Sequence, residues 1–340
     1  MRTGVVIDER YTAHDTGYGH PERAERISTL LEMLQSHPAP GIVRIDPRPA
    51  TVEEIALNHA SGHIAHVAAT AGNAWFAFDA DTPVSARSYE TALLAAGGVV
   101  TLVDAIMDGV VENGFALVRP PGHHAEYDRA MGFCLFNNVA VAAHVLKQRH
   151  GLERVLIMDW DLHHGNGTQH SFYQDPGVLY VSTHQYPYYP GTGAVDEVGG
   201  GQGVSFTVNI PLRAGSGDPE FVEVFTRVIE PIARQFRPQF VLVSAGFDCH
   251  RRDPLGGLMV TEEGIALMTR VLLRCARESA EGRLAAVLEG GYDLLAVSTS
   301  ASRVLDGLTG AESGEALPAV PASPTSERVR QVQRQYWDLQ

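Results

Sequence analysis

Asp159, Asp161 and His163 are the alternate residues of the run DWDLH, which follows an apolar segment. Side chains of these types at this spacing could carry out chemistry. In an extended backbone alternate side chains point the same way, so these three can face one point. Carboxylate and imidazole groups suit a borderline divalent ion such as zinc. The run predicts a metal site, although capping aspartates and surface histidines would give the same composition.

His123 and His124 are adjacent and follow the rigid turn Arg119-Pro-Pro-Gly122. Imidazole titrates near neutral pH, so such a pair can divide proton removal and proton donation between its members. The alternative is that the pair chelates a metal, or that the two imidazoles only make hydrogen bonds within their own loop.

Asp248 comes shortly after the apolar run 240–244 and could supply a third metal ligand. Taken alone, Asp248 fits a helix or turn cap better than a metal ligand. The neighbouring Cys249 and His250 have no partner at ligand spacing, and thiolate sites usually contain paired cysteines. We therefore leave both out of the predicted metal site.

Tyr292 follows Gly290 and Gly291 in the sequence EGGY. Two glycines let the backbone pass close to a ligand, and a tyrosine at that point could donate a hydrogen bond to a developing oxyanion. Ordinary packing of the ring is the alternative.

Together these clusters predict a definite kind of reaction. Three protein ligands with one open position are typical of catalytic zinc, whereas structural zinc sites are closed by four ligands. An open zinc ion polarises a carbonyl group and activates water. With His123, His124 and Tyr292 nearby, the set predicts metal-assisted hydrolysis of an amide.

Short apolar runs that alternate with helical patterns must position these groups. The runs read as strands at 4–7, 115–118, 155–158, 178–182, 240–244 and 284–288, with helices at 21–34, 90–111, 138–149, 219–236 and 262–279. This alternation predicts one α/β domain, an open, mostly parallel sheet with helices on both faces. Ligands bind such sheets beyond the carboxyl ends of the strands, and the polar clusters come just after strands. We therefore expect them to converge on one edge.

Composition limits the other possibilities. The formal net charge of −14 disfavours nucleic-acid binding, and three scattered cysteines do not form a disulfide framework. The start of the chain has no apolar signal segment, and the apolar run 92–103 is shorter than the ~20 residues of a membrane span. We expect a cytoplasmic protein without a membrane partner. The sequence leaves homo-oligomers open.

We expect a catalytic domain at 1–310, then a linker and a C-terminal helix in 311–340, with the helix at 327–337 packed on the domain.

The motifs taken together resemble the histone deacetylase family over residues 4–310. They are RPPGHHAEYDRAMGFCLFNNVAVAA, VLIMDWDLHHGNGTQ, VLYVSTHQYPYYPGTG, LVSAGFDCHRRDPLGG and LEGGYDL, in the family's order. The sequences of these motifs are most similar to those of class II deacetylases and of bacterial deacetylase-like amidohydrolases, which include acetylpolyamine amidohydrolases. The resemblance implies the arginase–deacetylase fold and removal of acetyl groups from amines.

The resemblance also implies roles for single residues. Asp161, His163 and Asp248 match the zinc ligands. His124 matches the general base that later acts as general acid toward the leaving amine, and His123 matches its electrostatic partner.

Three further matches surround this pair. Asp159 would orient His123, Asn166 would lie beside His124, and Tyr292 would bind the substrate carbonyl. A structural potassium ion is also implied, held by Asp159, Asp161, His163, Ser182 and Thr183. A second cation site would lie around Phe172, Asp175 and Val178.

The substrate tunnel is implied by a further set of matches: Gly132, Phe133, Tyr189, Leu255, Asp81, Gly290 and Gly291. Leu255 is the most useful of them, because related polyamine deacetylases place Glu there to pair with a distant ammonium group. Leu255 favours acetyl-lysine in proteins or peptides. Acidic residues of other loops, Asp81 among them, leave acetylpolyamines and other small acylated amines open as substrates.

Two other classes of function compete with this prediction. One is a binding protein that has lost catalysis, but His123, His124, Tyr292 and the three ligands are all present. The other is hydrolysis by two manganese ions, as in arginases, which would require more acidic ligands than this site offers.

Overall fold

Eight strands form one sheet, and every neighbouring pair in it is parallel. The computed structural model describes residues 1–36, 40–311 and 322–339. The strands are β1 (Thr3–Val6), β2 (Ile42–Arg44), β5 (Asn113–Ala116), β6 (Val155–Asp159), β7 (Val178–Gln185), β8 (Thr207–Leu212), β9 (Phe240–Ala245) and β10 (Leu284–Leu288), while β3 (Phe76–Ala77) and β4 (Pro83–Val84) form a separate antiparallel pair. The order β2-β1-β5-β10-β9-β6-β7-β8 confirms the predicted open parallel sheet.

Helices pack on the sheet in two groups. Their bounds are α1 (Glu25–Ser36), α2 (Val52–Ile55), α3 (Ser61–Ala68), α4 (Ser88–Met107), α5 (Asn138–Gln148), α6 (Asn166–Phe172), α7 (Asp218–Val224), α8 (Glu230–Phe236), α9 (Glu262–Ser279), α10 (Leu294–Thr309) and α11 (Pro324–Gln333). Both α4 and α10 contact β1 and β5, but α4 packs with α5 whereas α10 packs with α1 and α9. The two groups therefore cover opposite faces of the sheet.

The predicted segments include neither the edge strands of the sheet nor the helices α2, α3, α6 and α10. The edge strands β2 and β8 were not predicted, because β2 has only three residues and β8 contains Pro211. Proline lacks the N–H that a central strand needs and is confined to edges, which is where β8 lies. The helix predicted at 219–236 is interrupted by a π-helical turn at Phe225–Ile229.

The helix predicted at 90–111 is observed as α4, which extends beyond both ends of the apolar run 92–103. It has 20 residues and is apolar enough to cross a membrane by length and composition alone. In the protein 67% of its most apolar window is buried, and the core helix of a globular domain passes the same test. The helix packs against β1, β5 and α5.

The C-terminal helix α11 begins three residues earlier than the predicted 327–337. Ser323 caps it by accepting a hydrogen bond from the Ser326 N–H, and Pro324 occupies its first turn, where a missing N–H costs nothing. Val329 is buried, and α11 contacts β8. Most of the predicted linker, residues 312–321, lies outside the described residues.

Candidate active site

The four polar clusters lie at the carboxyl ends of four neighbouring strands, β5, β10, β9 and β6. His123 and His124 follow β5, Tyr292 follows β10, and Asp248 follows β9. Asp159 ends β6, with Asp161 and His163 directly after it. Parallel pairing places these strand ends at one edge of the sheet, so the expected convergence of the polar clusters is observed.

Asp161, His163 and Asp248 form a buried cluster of potential metal ligands. One ligand atom from each lies within 4.8 Å of the others. His163 Nδ1 is 3.2 Å from Asp161 Oδ1 and 3.0 Å from Asp248 Oδ2. Asp248 does not cap a helix; its Oδ1 accepts a hydrogen bond of 2.8 Å from the N–H of Leu162, which fixes the carboxylate beside the triad.

The charges in this cluster fit a cation. Burial alone would lower the pKa of His163, but hydrogen bonds to Asp161 and Asp248 raise it to about 9. Burial and the neighbouring charge of Asp161 raise the pKa of Asp248 to about 6. Two buried carboxylates therefore compete for positive charge, and a divalent ion with oxygen and nitrogen ligands satisfies them better than a proton.

Two glycines leave the space that this cluster requires. A Cβ atom at Gly246 would overlap with Asp161 Oδ2, and a Cβ atom at Gly290 would overlap with Asp248 Oδ2. The Gly290 N–H also donates a hydrogen bond of 2.9 Å to Asp161 Oδ2. The backbone at Gly246 and Gly290 thus packs directly against the carboxylates of Asp161 and Asp248. The donor set, its burial and this cradle together fit a zinc ion.

The adjacent histidines lie in opposite electrostatic environments. His123 Nδ1 donates to Asp159 Oδ2 over 3.0 Å, and its Nε2 lies 3.8 Å from Asp161 Oδ1. Burial lowers the pKa of His123, but the charges of Asp161 and Asp159 outweigh it and raise the pKa well above its usual value. Burial, His123 and His163 instead hold the pKa of His124 well below that value. The pair therefore consists of one charged and one neutral imidazole.

Asn166 is the hydrogen-bond partner of the neutral histidine. His124 Nδ1 lies 2.7 Å from Asn166 Oδ1, so the ring donates from Nδ1 when the amide oxygen faces it. Nε2 has no hydrogen-bond partner among the described residues, and the ring lines the pocket described below. His124 therefore presents a free lone pair to whatever occupies that pocket.

Tyr292 is held by its backbone as well as by its ring. Its N–H donates a hydrogen bond of 2.7 Å to Asp253 Oδ2, and its ring packs edge-on against Phe133. Burial raises the pKa of the hydroxyl well above its usual value, so the group stays a proton donor at neutral pH.

One pocket of about 430 Å³ unites these groups. Its buried lining includes His123, His124, His163, Gly290 and Tyr292. The more exposed lining residues mark the mouth and walls: His20, Asp81, Phe133, Tyr188, Tyr189 and Leu255. Gly132 also lines the pocket, where a Cβ atom would collide with the His124 ring. An apolar passage thus leads from the surface to the polar cluster.

Gly291 differs from the other predicted tunnel residues. It is not part of the pocket lining; its φ of 115° requires glycine, and its carbonyl accepts a hydrogen bond of 2.7 Å from Arg26 Nε. Its contribution is to shape the loop that carries Tyr292. Of the residues predicted around potassium, Asp159 of β6 is in register with Ser182 of β7, and Thr183 comes next in β7. Asp161 and His163 lie directly after the end of β6.

Two supporting residues were missed by the sequence reasoning. Glu289 is fully buried and accepts hydrogen bonds from the N–H groups of Gly122 (2.6 Å) and His123 (3.1 Å). Arg26, in α1, donates to the carbonyl groups of Gly291 and Glu289. An acidic residue directly after β10 was a visible signal that could have drawn attention to Glu289. Nothing in the sequence around Arg26 connects that residue with this loop.

Fold and site together define a hydrolase of the arginase–deacetylase fold, and comparison with known proteins identifies its family. Residues 20–308 match the histone deacetylase domain. The structure superimposes on the crystal structure of the HDA15 HD domain with a TM-score of 0.90 and 41% identity, covering 98% of this chain and 97% of that one. The chain belongs to the histone deacetylase family.

Full-length relatives agree with this assignment. A probable deacetylase of Archaeoglobus fulgidus is 42% identical over 298 residues, covering 86% of this chain and 82% of the relative. Histone deacetylase 15 of Arabidopsis thaliana is 43% identical over 326 residues, which cover 93% of this chain but 58% of that protein. Histone deacetylase 10, chloroplastic, of Oryza sativa subsp. japonica is 39% identical over 312 residues, which cover 86% of this chain and 70% of that protein.

Proposed function

We propose that this hydrolase is a zinc-dependent deacetylase that acts on acetyl-lysine in proteins or peptides. One observation carries the proposal: His163 of the Asp161–His163–Asp248 cluster lines the same pocket as His123, His124 and Tyr292. The products are acetate and the free amine, formed by cleavage of the amide C–N bond with one water molecule.

Asp161, His163 and Asp248 would hold zinc, which when bound supplies a Lewis acid that polarises the amide carbonyl and activates water. The protein's own groups do the rest. His124, neutral and with Nε2 free, takes a proton from the attacking water and returns it to the leaving amine. His123, charged and held by Asp159, stabilises negative charge nearby, and Tyr292 donates its hydroxyl proton in a hydrogen bond to the developing oxyanion.

The passage supports an extended, apolar substrate arm. Phe133 and Tyr189 flank the route to the polar cluster, and Leu255 at its mouth carries no charge for a distant ammonium group. Tyr188 fixes Leu255 by donating a hydrogen bond of 2.5 Å to its carbonyl. Asp81 is the one acidic side chain among the lining residues and would contact the polar part of the substrate outside the tunnel.

Other parts of the proposal rest on the sequence alone. A structural potassium ion would bind near Asp159, Asp161, His163, Ser182 and Thr183, and the protein would act in the cytoplasm. Acetylpolyamines are the second candidate substrates, favoured by Asp81 at the mouth and by the acidic net charge of −14.

Kinetics measured in parallel on three substrates test the choice between acetyl-lysine and acetylpolyamines. Zinc-loaded protein should hydrolyse an acetyl-lysine peptide with a kcat/KM roughly tenfold or more above that for acetylputrescine and acetylspermidine. Leu255→Glu should narrow this gap by adding a charge that attracts the distant ammonium group. A strong polyamine preference in the wild type would overturn the lysine assignment, and binding without turnover of any acetylated amine would overturn catalysis.

A further inference from the structure

Asn166 has a defined amide orientation because its two ends face different partners. Its Nδ2 faces three acceptors: Glu126 Oε1, the carbonyl of His124 (3.3 Å) and the sulfur of Met131 (3.5 Å). Its Oδ1 faces His124 Nδ1 at 2.7 Å. An amide has both donor and acceptor ends, so on its own it could serve His124 either way round. The surrounding acceptors remove that freedom.

Glu126 is the strongest of these acceptors. Glu126 is 8% exposed, and both of its carboxylate oxygens lie 2.9 Å from Nδ1 of the half-exposed His170. Burial raises the pKa of Glu126, but hydrogen bonds from His170 and Asn166 outweigh it and lower the pKa below its usual value. An ionised carboxylate only accepts hydrogen bonds, so it can be paired with the NH2 end of Asn166 and never with the oxygen.

We propose that Glu126 is a positioning residue for His124: it fixes the Asn166 carboxamide and thereby keeps the His124 proton on Nδ1 and the lone pair on Nε2. The inference rests on the function proposed above, in which Nε2 of His124 is the base. The neutral ring would otherwise divide between two tautomers, and the form protonated on Nε2 cannot accept a proton from water in the pocket.

The side chain of Glu126 can be changed without disturbing its backbone contacts. The Glu126 N–H donates to the carbonyl of Arg129, and the Glu126 carbonyl accepts from His59 Nδ1. Glu126→Gln keeps both contacts and the side-chain volume. It adds an NH2 group that can face Asn166 Oδ1, which permits the Asn166 amide to turn around.

Kinetics of zinc-loaded variants provide the first test. Glu126→Gln should lower kcat for the acetyl-lysine peptide roughly tenfold, with KM nearly unchanged, because part of the general-base contribution is lost. Asp128→Asn is the matched control: it removes a charge from the same loop at an exposed side chain and should leave kcat unchanged. The double variant Glu126→Gln/Asn166→Asp should recover most of the loss, since Asp at 166 accepts from His124 Nδ1 whatever stands at 126. A purely structural role of Glu126 would give no such rescue.

A second readout does not depend on activity. Nitrogen-15 NMR of the histidine rings, with the His124 signals assigned by their loss in His124→Gln, reports which ring nitrogen carries the proton. The wild type should show the Nδ1–H form, and Glu126→Gln should show a mixture. An unchanged tautomer or an unchanged kcat in Glu126→Gln would overturn the inference. If the wild type hydrolyses no acetylated amine, the proposed function fails, and the NMR comparison still decides the role of Glu126.

Discussion

His123 and His124 have the same side chain and adjacent positions, yet their surroundings keep His123 charged and His124 neutral. His123 lies between two aspartates, whereas His124 faces an amide and two other imidazoles. The sequence motif predicted a pair that could divide proton transfer. It could not assign the two roles from residue types alone, because the aspartates and the amide come from a different segment of the chain.

Tyr292 gives the residue-scale prediction. Tyr292→Phe should lower kcat for acetyl-lysine peptide by roughly 10²–10³, the usual effect of removing one oxyanion donor, with little change in KM. The fold should persist because the hydrogen bond from the Tyr292 N–H to Asp253 remains. Steady-state kinetics at saturating zinc measure the effect, with Tyr18→Phe on the fully exposed surface as control. Turnover at the wild-type rate in Tyr292→Phe would refute the role of the hydroxyl.

At the scale of elements, the sheet does most of the positioning. The ends of β5, β10, β9 and β6 deliver the histidines, Tyr292, Asp248 and Asp161 to one place. This much followed from the sequence, because buried parallel strands read as continuous apolar runs. The strand β10 and the helix α9 were predicted with their observed bounds, residues 284–288 and 262–279.

The edge strands and the supporting contacts escaped prediction for two different physical reasons. Edge strands β2 and β8 are too short or contain proline, so their pattern does not resemble a buried strand. Arg26 and Glu289 act through partners more than 160 residues away in sequence, such as Gly291 and Gly122. Local pattern carries no information about such contacts, which exist only once the sheet has assembled.

Gly290 gives the element-scale prediction. Gly290→Ala should weaken zinc binding roughly tenfold or more, because the added Cβ overlaps with the carboxylate of Asp248 and forces it away from the triad. Gly62→Ala in α3, where a Cβ atom meets nothing within 4 Å, is the matched control. Competition with a chromogenic chelator measures both affinities. Equal zinc affinity in Gly290→Ala and the wild type would show that the close backbone approach is unimportant.

At the scale of the whole molecule, half-buried ion pairs tie the helices to the loops around them. Glu54 of α2 accepts hydrogen bonds from Arg48 (2.6 and 2.7 Å) and from Arg149 at the end of α5 (2.6 Å). Burial raises the pKa of Glu54, but the hydrogen bonds from Arg48 and Arg149 outweigh it and lower the pKa to about 2. Because the folded state holds this carboxyl ionised, the stabilisation is present above its ordinary pKa of 4.5 and is lost as the pH falls from there toward 2.

Glu54→Gln should therefore destabilise the protein by about 1–2 kcal/mol at pH 7, an amount reduced by the partial exposure of both arginines. The difference from the wild type should shrink at pH values below that ordinary pKa. Urea unfolding at neutral and acidic pH measures it, with Glu153→Gln as control because the Glu153 side chain is 80% exposed. A difference that stays constant with pH would exclude a contribution from the Glu54 charge.

The central claim is that the Asp161–His163–Asp248 cluster binds the zinc on which deacetylation depends. Its most direct test is a titration of metal-stripped protein with zinc, in which bound metal and hydrolysis of an acetyl-lysine peptide are followed together. The predicted result is no hydrolysis without metal and a rate that rises in proportion to bound zinc until each chain holds one ion in this cluster. Hydrolysis by the metal-free protein at the full rate would contradict the account.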